Sequence, residues 1–186
     1  MVAMQKKTRC FVRIQKLLSF RQLVEVRWML QVDLTDGPID VSRMLSRVAS
    51  KRAGAAILFT GTTRQETDGL TTDWLEYDAY RPLARKELVR LCEQAVRRFQ
   101  IVKCSIVHRL GKVSVGEVSV AIAVSAVHRA EAFASASWLM DRIKTDVPIW
   151  KRQVNDSEAF WVHPENSDML ARNSGRCSQE PFDELS

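Results

Sequence analysis

Cysteine is sparse and scattered along this chain. Cys10, Cys92, Cys104 and Cys177 form no C-x-x-C pair, and the three histidines are not spaced as metal ligands. That excludes a zinc ribbon or a disulfide framework and favours a reducing compartment. Cys92 and Cys104 sit in apolar patterns and read as buried thiols. No apolar run approaches the ~20 residues of a membrane-spanning helix, so no membrane partner is expected. A Gly-rich Walker loop and a Ser-His-Asp signature are also missing. No metal or cofactor is expected from these patterns. Internal repeats are absent as well.

What is present fits one domain. The chain has 186 residues and is 46% hydrophobic, enough for a single ordinary core. Its net charge of +6 invites a nucleic-acid reading, so the location of that charge matters. Residues 1–27 carry Lys6, Lys7, Arg9, Arg13, Lys16, Arg21 and Arg27 against Glu25 alone. The rest holds 21 of the 28 basic and 21 of the 22 acidic side chains, a balance of zero. The basicity belongs to an N-terminal extension, residues 1–25, which reads as disordered. Its composition also allows organelle targeting, but it lacks Ser richness and a cleavage site, so a cytosolic location is preferred. Residues 26–164 form the expected domain, and 165–186 read as a polar tail.

Periodicity and punctuation give an element order. A strand is expected over Trp28 to Leu34, then a short helix capped by Asp40, with Val41, Leu45 and Val48 on its inner face. Gly54 to Thr60 reads as a buried strand, Gly61 to Leu70 as a loop, and Thr72 to Tyr80 as a strand. Pro82 opens a helix with Leu88, Leu91, Ala95 and Phe99 inward. Lys103 to Arg109 and Val118 to Ser125 read as strands joined through Gly111 and Gly116. A third helix spans about Arg129 to Thr145, with Phe133, Ala136, Met140 and Ile143 inward, and ends before Pro148. Trp150 reads as core. Ile149 to Val154 and Ala159 to Val162 read as edge strands. Strand pairs interrupted by helices indicate an α+β domain with a mixed or antiparallel sheet and about three helices.

The residues that could carry chemistry are all cationic. Arg64 leaves the end of a strand and could present a planar fork to a carboxylate or phosphate; it could equally be a solvated loop arginine. His128 and Arg129 stand at a helix N-terminus, where unsatisfied N–H groups favour anions. Cations there oppose the helix dipole, which hints at a functional reason, although a surface pair is the plainer account. Lys144 closes the third helix, where a lysine is stabilising anyway. Lys151 and Arg152 follow the stiff Val147-Pro148-Ile149-Trp150 hinge. A turn at Pro148 would have to bring Lys144 and Lys151 together, because seven extended residues span ~23 Å. The residues alone thus indicate a compact domain with an anion site.

The same segments resemble the large, catalytic subunit of molybdopterin synthase, in its eukaryotic-like branch. The resemblance runs from about Trp28 to Pro164. It is carried by Gly54-Ala55-Ala56-Ile57-Leu58-Phe59-Thr60-Gly61-Thr62-Thr63-Arg64, Leu75-Glu76-Tyr77-Asp78-Ala79-Tyr80, Val107-His108-Arg109-Leu110-Gly111 and Val124-Ser125-Ala126-Val127-His128-Arg129-Ala130. Lys144 with Val147-Pro148-Ile149-Trp150-Lys151-Arg152 completes the set, and Phe160-Trp161 looks like the eukaryotic branch.

That resemblance implies an α/β hammerhead-type single domain that forms a homodimer. It implies a heterotetramer with a small ubiquitin-like sulfur carrier whose C-terminal Gly-Gly bears a thiocarboxylate. The implied substrate is cyclic pyranopterin monophosphate, which receives two sulfurs to become molybdopterin in molybdenum cofactor biosynthesis. Lys144 and Lys151 become catalytic candidates. His128, Arg129, Lys144, Lys151, Arg152 and Gln153 become substrate-binding candidates, and Arg64 a candidate for the anion or carrier-tail site. This chain departs from the family at Gln65-Glu66-Thr67, where asparagine-rich sequence is usual, and at Gln153, where the eukaryotic branch often has glutamate. The rival readings are a non-enzymatic basic nucleic-acid-binding module and a degenerate scaffold homologue.

Overall fold

The computed structural model describes residues 29–67, 70–155 and 159–162. The expectations for the extension, for the tail, and for Cys10 and Cys177 lie outside the described residues.

The described residues form ten strands and three helices in the order β1 (Leu30–Thr35), α1 (Val41–Val48), β2 (Ala55–Thr62), β3 (Glu66–Thr67), β4 (Leu70–Thr71), β5 (Trp74–Ala79), α2 (Arg81–Phe99), β6 (Lys103–Arg109), β7 (Gly111–Ser114), β8 (Val118–Ala126), α3 (Arg129–Asp146), β9 (Ile149–Val154) and β10 (Ala159–Val162). The first sheet has the order β1-β6-β8-β2, with β1 parallel to β6 and the other pairs antiparallel. The second sheet, β10-β9-β5-β7, is antiparallel throughout. β3 and β4 form a small separate ladder. The α+β architecture with a mixed sheet, an antiparallel sheet and three helices agrees with the expectation.

The first sheet is covered on both faces, which explains its nearly continuous apolar strands. Ile106, Ile122 and Val124 point toward α2 and α3 and join Leu88, Leu91, Leu139 and Ile143 in the main core. Their neighbours Val107, Ala121 and Ala123 point the other way, against Met44 and Val48 of α1. Alternation of side chains across a strand puts large residues under the two long helices and smaller ones under the short helix. Cys92 and Cys104 are buried free thiols with their sulfurs 3.4 Å apart.

The helix caps behave as the sequence indicates. Asp40 accepts from the Arg43 N–H at 3.3 Å, and Pro82 stands in the first turn of α2. The inward faces differ in detail. Met44 is buried in α1 in place of Leu45, and α3 buries Ala132, Ser135, Ala136, Leu139 and Ile143 while Phe133 is exposed. Size misled the sequence reading: α3 packs closely on the sheet, so small residues face inward and the large ring faces out.

Three further expectations are corrected. β9 is an interior strand of its sheet, because β5 and β10 flank it. Trp150 is exposed, because alternation along β9 gives the covered face to Lys151 and Gln153. The link between β6 and β8 contains a strand, β7, which belongs to the second sheet. The chain crosses between sheets at Gly111 (φ 75°) and returns after Gly116 (φ 82°), both left-handed positions that suit glycine.

Candidate functional site

The turn after α3 builds the site. Val147 caps the helix by donating its N–H to the Ile143 carbonyl at 3.3 Å, and its own carbonyl accepts from the Ile149 N–H at 2.8 Å. This tight turn around Pro148 sends β9 back beside the helix end. Lys144, exposed in the last turn of α3, thereby comes within electrostatic range of Lys151 on β9. Arg64, exposed two residues beyond the end of β2, is the third member of the group.

Burial of Lys151 is the main reason its ammonium is held below the usual lysine range, and the charges of Lys144 and Arg64 lower it further. A half-buried lysine beside two cations is a site short of negative charge. An anion entering it would be bound by all three. Lys151 is also readier than an ordinary lysine to give up a proton.

The other candidates fall elsewhere. Arg152, the next residue on β9, points to the opposite face of the second sheet. There it pairs with Glu76 directly across on β5, its Nε 3.0 Å from Oε2. That face borders an open cavity of about 410 Å³ lined by Asp36, Glu76, Asp78, Arg81 and Arg152, in which Arg81 also pairs with Asp36. Its balance of charge does not select anions. Gln153 shares the Lys151 face but is buried, and its Nε2 donates to Thr72 Oγ1 at 2.7 Å.

His128 is the N-cap residue of α3 without a side-chain capping bond, and both it and Arg129 are exposed. They stand at the far end of the helix from Lys144, about 22 Å away along the axis at ~1.5 Å per residue. Pairing of β2 with β8 gives the same picture. Ala126 lies opposite Ala55 at one end, and Val118 lies opposite Thr62 at the end from which Arg64 departs. One copy of the chain therefore gathers Arg64, Lys144 and Lys151 and keeps His128 and Arg129 apart from them.

Three polar residues near this group had no role in the sequence reading: half-buried Tyr77 and buried His108 and Ser119. Tyr77 is directly opposite Lys151 across the β5–β9 ladder, and its ring meets His108 edge-on with centroids 5.1 Å apart. Burial raises its phenol above the ordinary tyrosine value. Tyr77 and His108 lie in motifs visible in the sequence and Ser119 does not, and the strand register that brings them together was not visible. Among the described residues, no group of three or more His, Cys, Asp or Glu is placed to hold a metal ion. No described helix is long and apolar enough to cross a membrane.

Comparison with known proteins fits this geometry. Residues 34–146 match the family model described as MoaE protein. The molybdopterin synthase catalytic subunit of Pyrococcus abyssi is 39% identical over 134 residues, 71% of this chain and 90% of that protein. The catalytic subunit from Arabidopsis thaliana is 41% identical over 134 residues, 72% of this chain and 67% of that protein. Among solved structures, molybdopterin synthase from Staphylococcus aureus is similar with a TM-score of 0.67 at 33% identity, covering 69% of this chain and 94% of that one.

Proposed function

The chain belongs to the MoaE family, and from that premise we propose that it is the catalytic subunit of a molybdopterin synthase acting in molybdenum cofactor biosynthesis. In this reading a small sulfur-carrier subunit inserts its C-terminal Gly-Gly thiocarboxylate beside Arg64, Lys144 and Lys151. Cyclic pyranopterin monophosphate binds the same cationic group. The observation that carries the reading is the convergence of these three cations from a loop, a helix end and a second sheet.

The chemistry asked of the site is modest. The thiocarboxylate sulfur forms a bond to a carbon of the pterin side chain as a carbon–oxygen bond of that carbon breaks, and the departing oxygen takes the electron pair and a proton. Water then cleaves the bond between that sulfur and the carrier's acyl carbon, leaving a carboxylate on the carrier and sulfur on the product. Fixed positive charge stabilises the oxyanion that forms at the acyl carbon. Lys151, with its lowered proton affinity, can accept and return the proton that water gives up. The sulfur comes from the carrier, so the buried Cys92 and Cys104 need take no part.

The homodimer acquires a specific purpose here. His128 and Arg129 lie too far from Lys144 to contact the same small substrate within one copy. If they bind the pterin, they do so at the lysine site of the second copy. Residues 28–186 carry 21 basic and 21 acidic side chains, so the rival nucleic-acid reading rests mainly on the charge of residues 1–27.

Reconstitution with thiocarboxylated carrier and cyclic pterin tests the reading. Lys144→Ala and Lys151→Ala should each cut single-turnover dithiolene formation at least ~100-fold with little change in melting temperature. Lys112→Ala, whose ammonium lies 4.0 Å from the centre of the Trp74 ring, should stay near wild type. Equal activity in all three variants would refute the assignment.

A further inference from the structure

The site depends on two sheets keeping a fixed relation. Arg64 leaves the first sheet and Lys151 belongs to the second, with Lys144 on the helix that packs against the first. We propose that Tyr77 is a positioning residue: its ring shields the stem of Lys151, and its hydroxyl, acting through Ser119, ties the second sheet to the strand that delivers Arg64. The proposal rests on reading Arg64 and Lys151 as one site and adds the element that keeps them together.

The contacts form a continuous chain. Tyr77 and Lys151 are Cα partners in the β5–β9 ladder, so their side chains share one face. Ser119 of β8 acts on the Tyr77 phenol against the rise that burial causes, so the two hydroxyls lie near each other. Ser119 Oγ donates to the Gly61 carbonyl at 3.1 Å. The Ser119 proton is committed to the Gly61 carbonyl, so a Tyr77 hydroxyl turned toward Ser119 would be the donor between them. Gly61 lies three residues before Arg64, where β2 comes very close to β8. A Cβ at Gly61 would stand 2.8 Å from Val120 Cγ1, and the β2–β8 register shifts between Gly61 and Thr62.

The next residues are also fixed from the second sheet's side. Buried Thr63 donates from Oγ1 to the Val113 carbonyl of β7 at 3.4 Å, and its own carbonyl accepts from Gly116 N at 2.9 Å. The Tyr77 ring closes the remaining side against His108 of β6, at an interplanar angle of 74°.

This arrangement separates two duties of one side chain. The ring keeps water from the stem of Lys151, while the hydroxyl fixes Arg64 relative to it. The groups facing Lys151 are Arg64, Lys144 and Tyr77, with buried His108 behind the Tyr77 ring. Glu76 and Arg152 lie on the opposite face.

The test uses the full chain with carrier and pterin, and variants that divide those duties. Tyr77→Phe and Ser119→Ala should each lower single-turnover sulfur transfer about tenfold, with substrate affinity little changed. The double variant should be no worse than either single one, because both remove the same link. Tyr77→Leu should let water reach Lys151 and raise its titration toward the ordinary 10.5, read by carbon NMR of the labelled lysine. Tyr77→Phe should leave that titration in place. Near-wild-type turnover in both single variants, or additive losses, would overturn the relay. An unmoved Lys151 titration in folded Tyr77→Leu would overturn the shielding; if that variant does not fold, the Tyr77→Phe and Ser119→Ala cycle decides. Full activity of Lys151→Ala would instead sink the underlying site reading, whereas the Lys151 titration would still report on Tyr77.

Discussion

Acidification should destabilise this protein through His108 before most of its carboxylates are titrated. His108 is 5% exposed, and burial pushes its pKa from 6.5 down to about 4, opposed only in part by its hydrogen bond to the Arg109 carbonyl. A carbonyl can only accept, so the neutral ring carries its proton on Nδ1, 2.8 Å from that oxygen. Protonation would place a charge and a second N–H in a space that Tyr77 fills on one side. The folded pKa is below the unfolded one, so between about 4 and 6.5 the unfolded chain binds more protons. Stability therefore rises with pH across this window and is lost on acidification through it. Over the whole window the loss approaches roughly 3 kcal/mol, at 1.36 kcal/mol per pKa unit. Between about pH 7 and about pH 5 it is about 2 kcal/mol. For a folded domain of this size that is a fall in melting temperature of roughly 7 °C. Thermal melts at both pH values measure it. His108→Phe keeps the edge contact with Tyr77 but gives up the bond to Arg109, so it should cost about 1 kcal/mol near neutral pH and flatten the pH dependence. Equal pH dependence in wild type and variant would refute the reasoning, as would an imidazole that titrates above about pH 6 in NMR spectra of the folded protein.

Other outcomes follow from the same geometry. Mixing Lys144→Ala with Arg129→Ala subunits should restore roughly a quarter of wild-type turnover per site, because one site in a mixed dimer keeps both residues and half of randomly mixed dimers are mixed; inactivity of the mixture at every ratio would place all these residues in one copy's site or exclude the dimer. Gln153→Ala should destabilise the fold by about 1–3 kcal/mol, by leaving Thr72 without its buried partner, while turnover per folded molecule persists. A selective rise in substrate KM without a stability change would instead make Gln153 a binding residue. Gly54→Ala should destabilise by about 2 kcal/mol or more, because its Cβ would stand 2.5 Å from the Val127 carbonyl oxygen, with no flexible side chain to yield. An unchanged melting temperature would show that the Val127-His128 backbone shifts freely.

Most of the element order was legible in local sequence patterns. Asp40, Pro82 and Pro148 mark helix ends through local backbone chemistry, and local chemistry is what a single sequence displays. It also displayed five ordered motifs, enough to indicate the family and to name Arg64, Lys144 and Lys151. Which of these cations meet depends on strand pairing and helix length. Register puts Lys151 on the covered face of β9 and Arg152 on the other, and a slip of one residue would exchange them. Trp150 was misread for the same reason, since a large apolar residue reads as core until its strand face is known. The length of α3 separates His128 and Arg129 from Lys144, and the turn at Val147 and Pro148 brings Lys151 back to it. The proposed link from Tyr77 through Ser119 to Gly61 would join three strands from two sheets. Contacts between distant segments depend on how the strands pair, and no local pattern records that pairing.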